Sequence, residues 1–124
     1  YYKMVIKRLN SGGMIALQAG DFSLPHLRFH AAIYNTIRQV MPFARSYHTY
    51  IPSFNTDWGY ILAAPEKRIL PDLQSFDQQI SKRKIKLDYF DGTTAIGLFS
   101  LSKPQRAIID KETRVIDDEN LFII

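Results

Sequence analysis

The chain of 124 residues is long enough for one small domain, since domains most often hold roughly 100 to 150 residues. Its 46% apolar and 23% charged residues predict a folded protein, and the absence of cysteine excludes disulfides and thiolate metal sites. The net charge of +4 comes without a dense Lys/Arg cluster, and no apolar run approaches the roughly 18 residues that a membrane helix needs. We therefore expect a cytoplasmic protein with no nucleic-acid partner and no membrane partner.

The first third of the chain predicts a helix, a strand and a second helix. Residues 1–9 place apolar side chains at spacings of three and four, which indicates a helix, and the glycines at 12–13 end it. Residues 14–17 are typical of a strand buried on both faces. Pro25 opens the second helix, with Asn35 away from its apolar face. The residues of that face are Phe29, Ile33, Ile37 and Val40.

The middle of the chain predicts two strands and a third helix. Residues 44–51 and 59–64 read as strands, with residues 52–58 as a loop between them. A helix follows from Pro71, with Leu73, Phe76 and Ile80 turned inward. The remainder is less regular, and its predicted elements are an extended piece and turn at 87–92, a short helix at 104–109 and an extended segment at 114–116.

Strands that alternate with helices predict an α/β protein with a mainly parallel sheet. Three predicted strands are fewer than the five or six, roughly, of a doubly wound sheet. We therefore expect residues 1–124 to form a single domain or a fragment whose earlier strands lie upstream.

Most motifs that carry chemistry are absent from the sequence. It contains no Gly-x-Gly-x-x-Gly, Walker loop, His-Glu-x-x-His or Gly-x-Ser-x-Gly. His26 and His30 have a helical metal-ligand spacing, but no third ligand is near them in sequence. The acidic run 117–119 is typical of a solvated loop. The motifs thus assign no catalytic, cofactor-binding or metal-binding residue.

Polar and aromatic side chains follow two of the predicted strands. Gln18 comes at the end of the first strand, where ligands of open α/β sheets bind. Its amide could hold an amine or cap neighbouring backbone groups. The loop after the second strand brings Phe54 and Trp58, which suit a flat or cationic ligand or else serve as core or lid residues.

Four stretches carry a more specific pattern. They are residues 1–20 with Gln-Ala-Gly at 18–20, residues 50–59 with Ile-Pro-Ser-Phe at 51–54, residues 89–101 and residues 113–120. In order and spacing they resemble the second half of the polyamine aminopropyltransferases, the spermidine synthase family. The resemblance implies an α/β fold that is the C-terminal half of a Rossmann-like, class I methyltransferase-type fold.

The resemblance also implies an activity. Members of this family move an aminopropyl group from decarboxylated S-adenosylmethionine, a co-substrate, to putrescine or a related amine. By resemblance, Gln18, Phe54 and Trp58 line the acceptor site, and a homo-oligomer is expected. The family's glycine-rich cofactor loop and catalytic aspartate would precede Tyr1, which implies that this chain alone holds no catalytic or cofactor-binding residue and is inactive.

Two departures leave the acceptor amine open. Phe54 stands where several members of the family have tyrosine, and Ala95 stands where many have histidine or glutamine. Two alternatives to the enzyme also stay open. The chain could be a non-catalytic remnant that serves as a dimerisation or partner-binding module, or part of another S-adenosylmethionine-dependent transferase, because a fold alone does not fix the reaction.

Overall fold

The computed structural model describes residues 1–122, in which a small sheet is flanked by helices on both faces. The helices begin and end close to the predicted positions, except that residues 92–99 form one that the sequence did not predict. In chain order the elements are α1 (Tyr2–Ile6), β1 (Ile15–Asp21), a single 3-10 turn (Leu24–His26), α2 (Leu27–Arg38), β2 (Phe43–Ile51), β3 (Thr56–Ala64), α3 (Leu73–Lys82), α4 (Gly92–Phe99) and α5 (Lys103–Lys111).

The sheet has the strand order β1-β3-β2, and both neighbouring pairs are antiparallel. The prediction of a mainly parallel sheet is therefore wrong for these three strands. The physical reason is the short connection between β2 and β3, because residues 52–55 leave room only for a hairpin turn and a parallel pair needs a long crossover. β1 and β2 do run in the same direction, joined across α2, but β3 lies between them. The α/β class itself is confirmed.

One face of the sheet, which we call the inner face, packs on α2 and forms the main core. Residues paired across antiparallel strands lie on one face, so the pairs of Ala63 with Ile15 and with Ala44 define it. The buried core on this face consists of Ala19, Ile37, Met41, Ala44, Ile61 and Ala63. The opposite, outer face is less covered. β1 is accordingly not buried on both faces as predicted, because Ala16 and Gln18 are exposed on the outer one.

A buried histidine ties α2 to two strands. The side chain of His30 is fully buried, with Nδ1 at 3.2 Å from the Ala19 carbonyl and Nε2 at 2.8 Å from Ser46 Oγ. Gly59 of β3 makes room for the ring, since a Cβ there would lie 2.5 Å from His30 Nδ1. Burial, with a smaller contribution from nearby His48, lowers the pKa of His30 to about 4. The imidazole is therefore neutral at physiological pH.

The later helices rest on local caps and on packing that periodicity did not reveal. Asp91 caps α4 by accepting a hydrogen bond from the Thr94 N–H, and Ser102 begins α5 with a reciprocal capping box to Gln105. Asn35, predicted away from the core, is buried and donates to the carbonyl of Arg114 at 2.8 Å. The extended segments predicted at 87–92 and 114–116 do not join the described sheet.

Candidate functional site

The structure brings the three predicted site residues together at one corner of the outer face. Gln18 lies on β1 and Trp58 on β3, where the indole Nε1–H donates to Gln18 Oε1 at 3.1 Å. Phe54, in the hairpin turn, packs on Trp58 with ring centroids 4.6 Å apart and ring planes at 53°. Trp58 is therefore a strand residue rather than the loop residue that was predicted. We call these three side chains the Gln18 corner.

The Gln18 corner presents both hydrogen-bonding groups and aromatic faces. The bond from Trp58 uses one lone pair of Gln18 Oε1, which leaves a second lone pair and the two N–H donors of the amide on an exposed face. Phe54 is 49% exposed, so part of this residue remains open to solvent. Aromatic faces attract cations, and an amide oxygen accepts from an ammonium group. These side chains thus suit a ligand with an amino group on an apolar chain.

A row of tyrosines continues the outer face beyond Gln18. Tyr60 is paired directly with Gln18, and Tyr47 stacks on Tyr60 with ring centroids 5.2 Å apart. Phe99 of α4 covers Tyr47 at 5.0 Å. Burial, followed by the neighbouring Tyr60, raises the pKa of Tyr47, which keeps its phenol neutral. These rings therefore form an uncharged aromatic surface beside the Gln18 corner.

Asp21 is the neighbour of the corner that sequence reasoning missed. It is paired with Trp58 across the sheet, and its Oδ1 accepts from the Ser23 N–H at 2.8 Å and from Thr56 Oγ1 at 3.2 Å. Burial alone would raise the pKa of Asp21, but these hydrogen bonds and the nearby His26 outweigh it and lower the pKa. Asp21 is therefore an ionised carboxylate. Gly20 was the signal in the sequence that could have indicated an irregular strand before Asp21, but it was interpreted only as the end of the strand. In the structure Gly20 has a positive φ.

His26 and His30, which have a helical metal-ligand spacing in the sequence, do not share one site in the structure. His30 is buried beneath β1 and β2, whereas His26 is exposed and lies 3.1 Å from Ser23 Oγ. The His26 atom near Ser23 is Nδ1, and Nδ1 also lies 3.7 Å from Asp21 Oδ2. In a catalytic triad the serine and the carboxylate contact different ring nitrogens, so Ser23, His26 and Asp21 do not form one. Within residues 1–122 no group of three His, Asp or Glu side chains is arranged to hold a metal ion.

An apolar hollow of about 580 Å³ lies on the outer face, away from the Gln18 corner along the strands. It is bounded by β2, β3, the segment 68–71, α3 and α4. The aromatic rings that line it are those of Phe43, Tyr47, Phe76, Phe90 and Phe99. Arg68 is at its edge and donates through Nη2 to the Gly12 carbonyl at 2.6 Å. The hollow is thus an apolar surface, and none of the three side chains of the Gln18 corner lines it.

None of the helices in the part of the chain that the structure describes is both long enough and apolar enough to cross a bilayer. This agrees with the short apolar runs of the sequence.

Solved structures place the fold in a class. Two of them have spermidine synthase as their subject, one bound to the transition-state analogue AdoDATO and one from Thermotoga maritima. Each matches with a TM-score of 0.63 and 20% identity, over 79% of this chain and 34% of the solved chain. At this identity the likeness concerns the fold alone. The sheet and its helices are thus part of a methyltransferase-like α/β fold.

Curated relatives narrow the class to a family. The polyamine aminopropyltransferase of Aeropyrum pernix is 34% identical over 125 residues, covering 97% of this chain and 39% of the relative. The thermospermine synthase of Arabidopsis thaliana is 28% identical over 127 residues, covering 100% of this chain and 37% of the relative. No protein-family model matches the chain. The chain is nevertheless a member of the polyamine aminopropyltransferase, or spermidine synthase, family and matches the C-terminal part of its members. It spans less than half the length of both of these relatives.

Proposed function

We propose that this chain forms the amine-acceptor side of an aminopropyltransferase that moves an aminopropyl group from decarboxylated S-adenosylmethionine to putrescine or a related polyamine. The observation that carries the proposal is the Gln18 corner, in which an amide and two aromatic rings meet on an exposed face of the sheet. The family membership supplies the reaction class. In the proposal the protein works in the cytoplasm.

The contacts of Gln18 support a role in holding an amine. The indole N–H of Trp58 fixes the orientation of the Gln18 amide, so its oxygen is already aimed when a ligand arrives. An ammonium or amine nitrogen can then donate to the remaining lone pair while its alkyl chain lies against Phe54 and Trp58. The rings would also exclude water from one side of that hydrogen bond, which strengthens it.

The proposed reaction needs further groups that act on the donor. The neutral amine nitrogen attacks the carbon beside the sulfonium, the new C–N bond forms as that C–S bond breaks, and the thioether leaves with the electron pair. One proton of the attacking nitrogen goes to a general base. The glycine-rich cofactor loop and the catalytic aspartate that the family implies are proposed to lie outside residues 1–124. We therefore expect this chain by itself to bind the amine without transferring a group to it.

The test is amine binding by the 124-residue protein. Binding is measured by calorimetry and by the fluorescence of Trp58, the single tryptophan of the chain. We expect putrescine and spermidine to bind, and Gln18→Ala to weaken both by about tenfold or more, because a hydrogen bond to a charged group is lost. Gln74→Ala is the matched control, since Gln74 is exposed on α3. Amine affinity that is unchanged by Gln18→Ala would argue against the proposal, as would the absence of binding.

A second candidate, a dimerisation or partner-binding module, is favoured by one observation. The apolar hollow on the outer face is lined in part by Ile69, which is 92% exposed, and Tyr89 is a further exposed aromatic residue, at 72%. Surfaces of this kind are usually covered by association. A homo-oligomer is compatible with both candidates, so sedimentation alone does not separate them. Stable self-association without amine binding would favour the module.

A further inference from the structure

The end of β1 contains an irregularity that changes the direction of one side chain. Gln18 is paired with Tyr60 and Asp21 with Trp58, so three steps along β1 correspond to two steps along β3. One extra residue on β1 is a β-bulge, and bulges often redirect a side chain beside a functional site. Gly20 has φ +85°, a left-handed conformation that glycine adopts without strain.

The bulge places Asp21 on the same face as the Gln18 corner. Alternation along a regular strand would put Gln18 and Asp21 on opposite faces, because they are three positions apart and side chains alternate at every position. With the extra residue, Asp21 is paired with Trp58 and so shares its face. The hydrogen bond from Thr56 agrees with this, since Thr56 and Trp58 are two residues apart on β3.

The two oxygens of Asp21 have different surroundings. Oδ1 accepts from the Ser23 N–H and from Thr56 Oγ1, which holds the carboxylate in place. Oδ2 makes no hydrogen bond to another described residue, and His26 Nδ1 is 3.7 Å from it. The His26 side chain is 64% exposed, so it can move away as a ligand enters.

We propose that Asp21, turned by the bulge at Gly20, is the anionic subsite of the Gln18 corner and holds an ammonium group of the polyamine through Oδ2. This inference rests on the proposed function and names a specificity-determining residue for it. The amide of Gln18 and the rings of Phe54 and Trp58 are uncharged, so they distinguish poorly between a monoamine and a diamine. A fixed carboxylate beside them selects ligands that carry an additional positive charge.

The experiment compares putrescine with butylamine, which has the same carbon chain and one amino group. Binding is measured for the 124-residue protein, for Asp21→Asn and for Asp57→Asn. Asparagine at position 21 retains an oxygen that can accept from Ser23 and Thr56, so the turn is preserved while the charge is removed. Asp57 is the matched control, because it neighbours Trp58 but pairs with His48 at 2.6 Å on the other face.

We expect the parent protein to prefer putrescine and Asp21→Asn to reduce that preference about fivefold, as for a partly exposed ion pair. The reduction should shrink at high salt, because mobile ions screen exposed charges. Asp57→Asn should leave the preference unchanged. Retained preference in Asp21→Asn, or an equal loss in Asp57→Asn, overturns the role of Asp21. If Gln18→Ala still weakens amine binding about tenfold or more in that case, the proposed function stands, whereas a parent protein that binds neither amine contradicts both proposals.

Discussion

Acidification should destabilise this protein through His30, before its carboxylates are protonated. Burial holds the pKa of His30 at about 4, against an ordinary value of 6.5. Between these values the unfolded chain binds a proton that the folded chain does not, so the free energy of unfolding falls as pH falls. The slope approaches about 1.4 kcal/mol per pH unit between the two pKa values, and the loss from pH 7 to pH 5 is about 2 kcal/mol. As pH rises above 6.5, this contribution to the pH dependence fades, because the unfolded chain also loses the proton.

The range from pH 7 to pH 5 isolates His30 from the acidic groups. The Arg114 side chain donates to Glu112 and, against the opposing effect of burial, lowers the pKa of Glu112 to about 2. A carboxylate whose folded pKa is depressed contributes stability that is present above its unfolded pKa of 4.5 and is lost as pH falls to about 2. The stability from the Glu112 pair is therefore constant over the range in which His30 acts.

The assay is urea unfolding at several pH values, and the fluorescence of Trp58 monitors the fraction of unfolded protein. A loss of about 2 kcal/mol moves the urea midpoint down by about 1 to 2 M, for a denaturant dependence of about 1 to 2 kcal/mol/M. His30→Gln, which can still donate to the Ala19 carbonyl or bond to Ser46, should remove the dependence. His26→Gln, at an exposed site, should retain it. A parental pH dependence that survives in His30→Gln would refute the reasoning.

Two further predictions concern packing and capping. Gly59→Ala should destabilise the fold by about 2 kcal/mol or more, because its Cβ would overlap the buried ring of His30 and the core cannot expand freely. Gly97→Ala is the control: apart from its chain neighbours and the backbone of its own helix, no atom lies within 4 Å of the added Cβ, and alanine in a helix should stabilise by about 0.5 to 1 kcal/mol. Thermal unfolding of both variants checks the signs, and a destabilised Gly97→Ala would contradict the assignment of open space. Ser102→Ala should cost about 1 kcal/mol through loss of the α5 capping box, measured by urea unfolding, and an unchanged midpoint would show that the cap contributes little.

The sequence was sufficient for the elements whose pattern is local. Apolar periodicity predicted α2 and α3, and β-branched and aromatic enrichment predicted the strands, because helix and strand repeats are visible in a single chain. α4 was missed because glycine and threonine occupy its first positions, and the cap at Asp91 fixes its start without a periodic signal. The prediction of a mainly parallel sheet was wrong because the alternation of helices and strands along the chain does not reveal which strands become neighbours.

The candidate site was predictable only in part. Family resemblance suggested Gln18, Phe54 and Trp58, and the structure places them in contact, although their role in binding stays a prediction. Asp21 was missed because its direction depends on a bulge, and a bulge is a property of two paired strands rather than of one. Regular alternation from Gln18 would have turned Asp21 towards the core.

The position of β3 at the centre of the sheet has a consequence for how the chain folds. Gln18 and Trp58 are 40 residues apart in sequence, and β1 meets β2 only through β3. The β2–β3 hairpin closes a short loop, whereas β1 must close a long one, which costs more entropy. The Gln18 corner therefore cannot form in any local segment of the chain. It is completed when the first strand pairs with the last, so the groups that would bind a ligand are assembled together with the sheet.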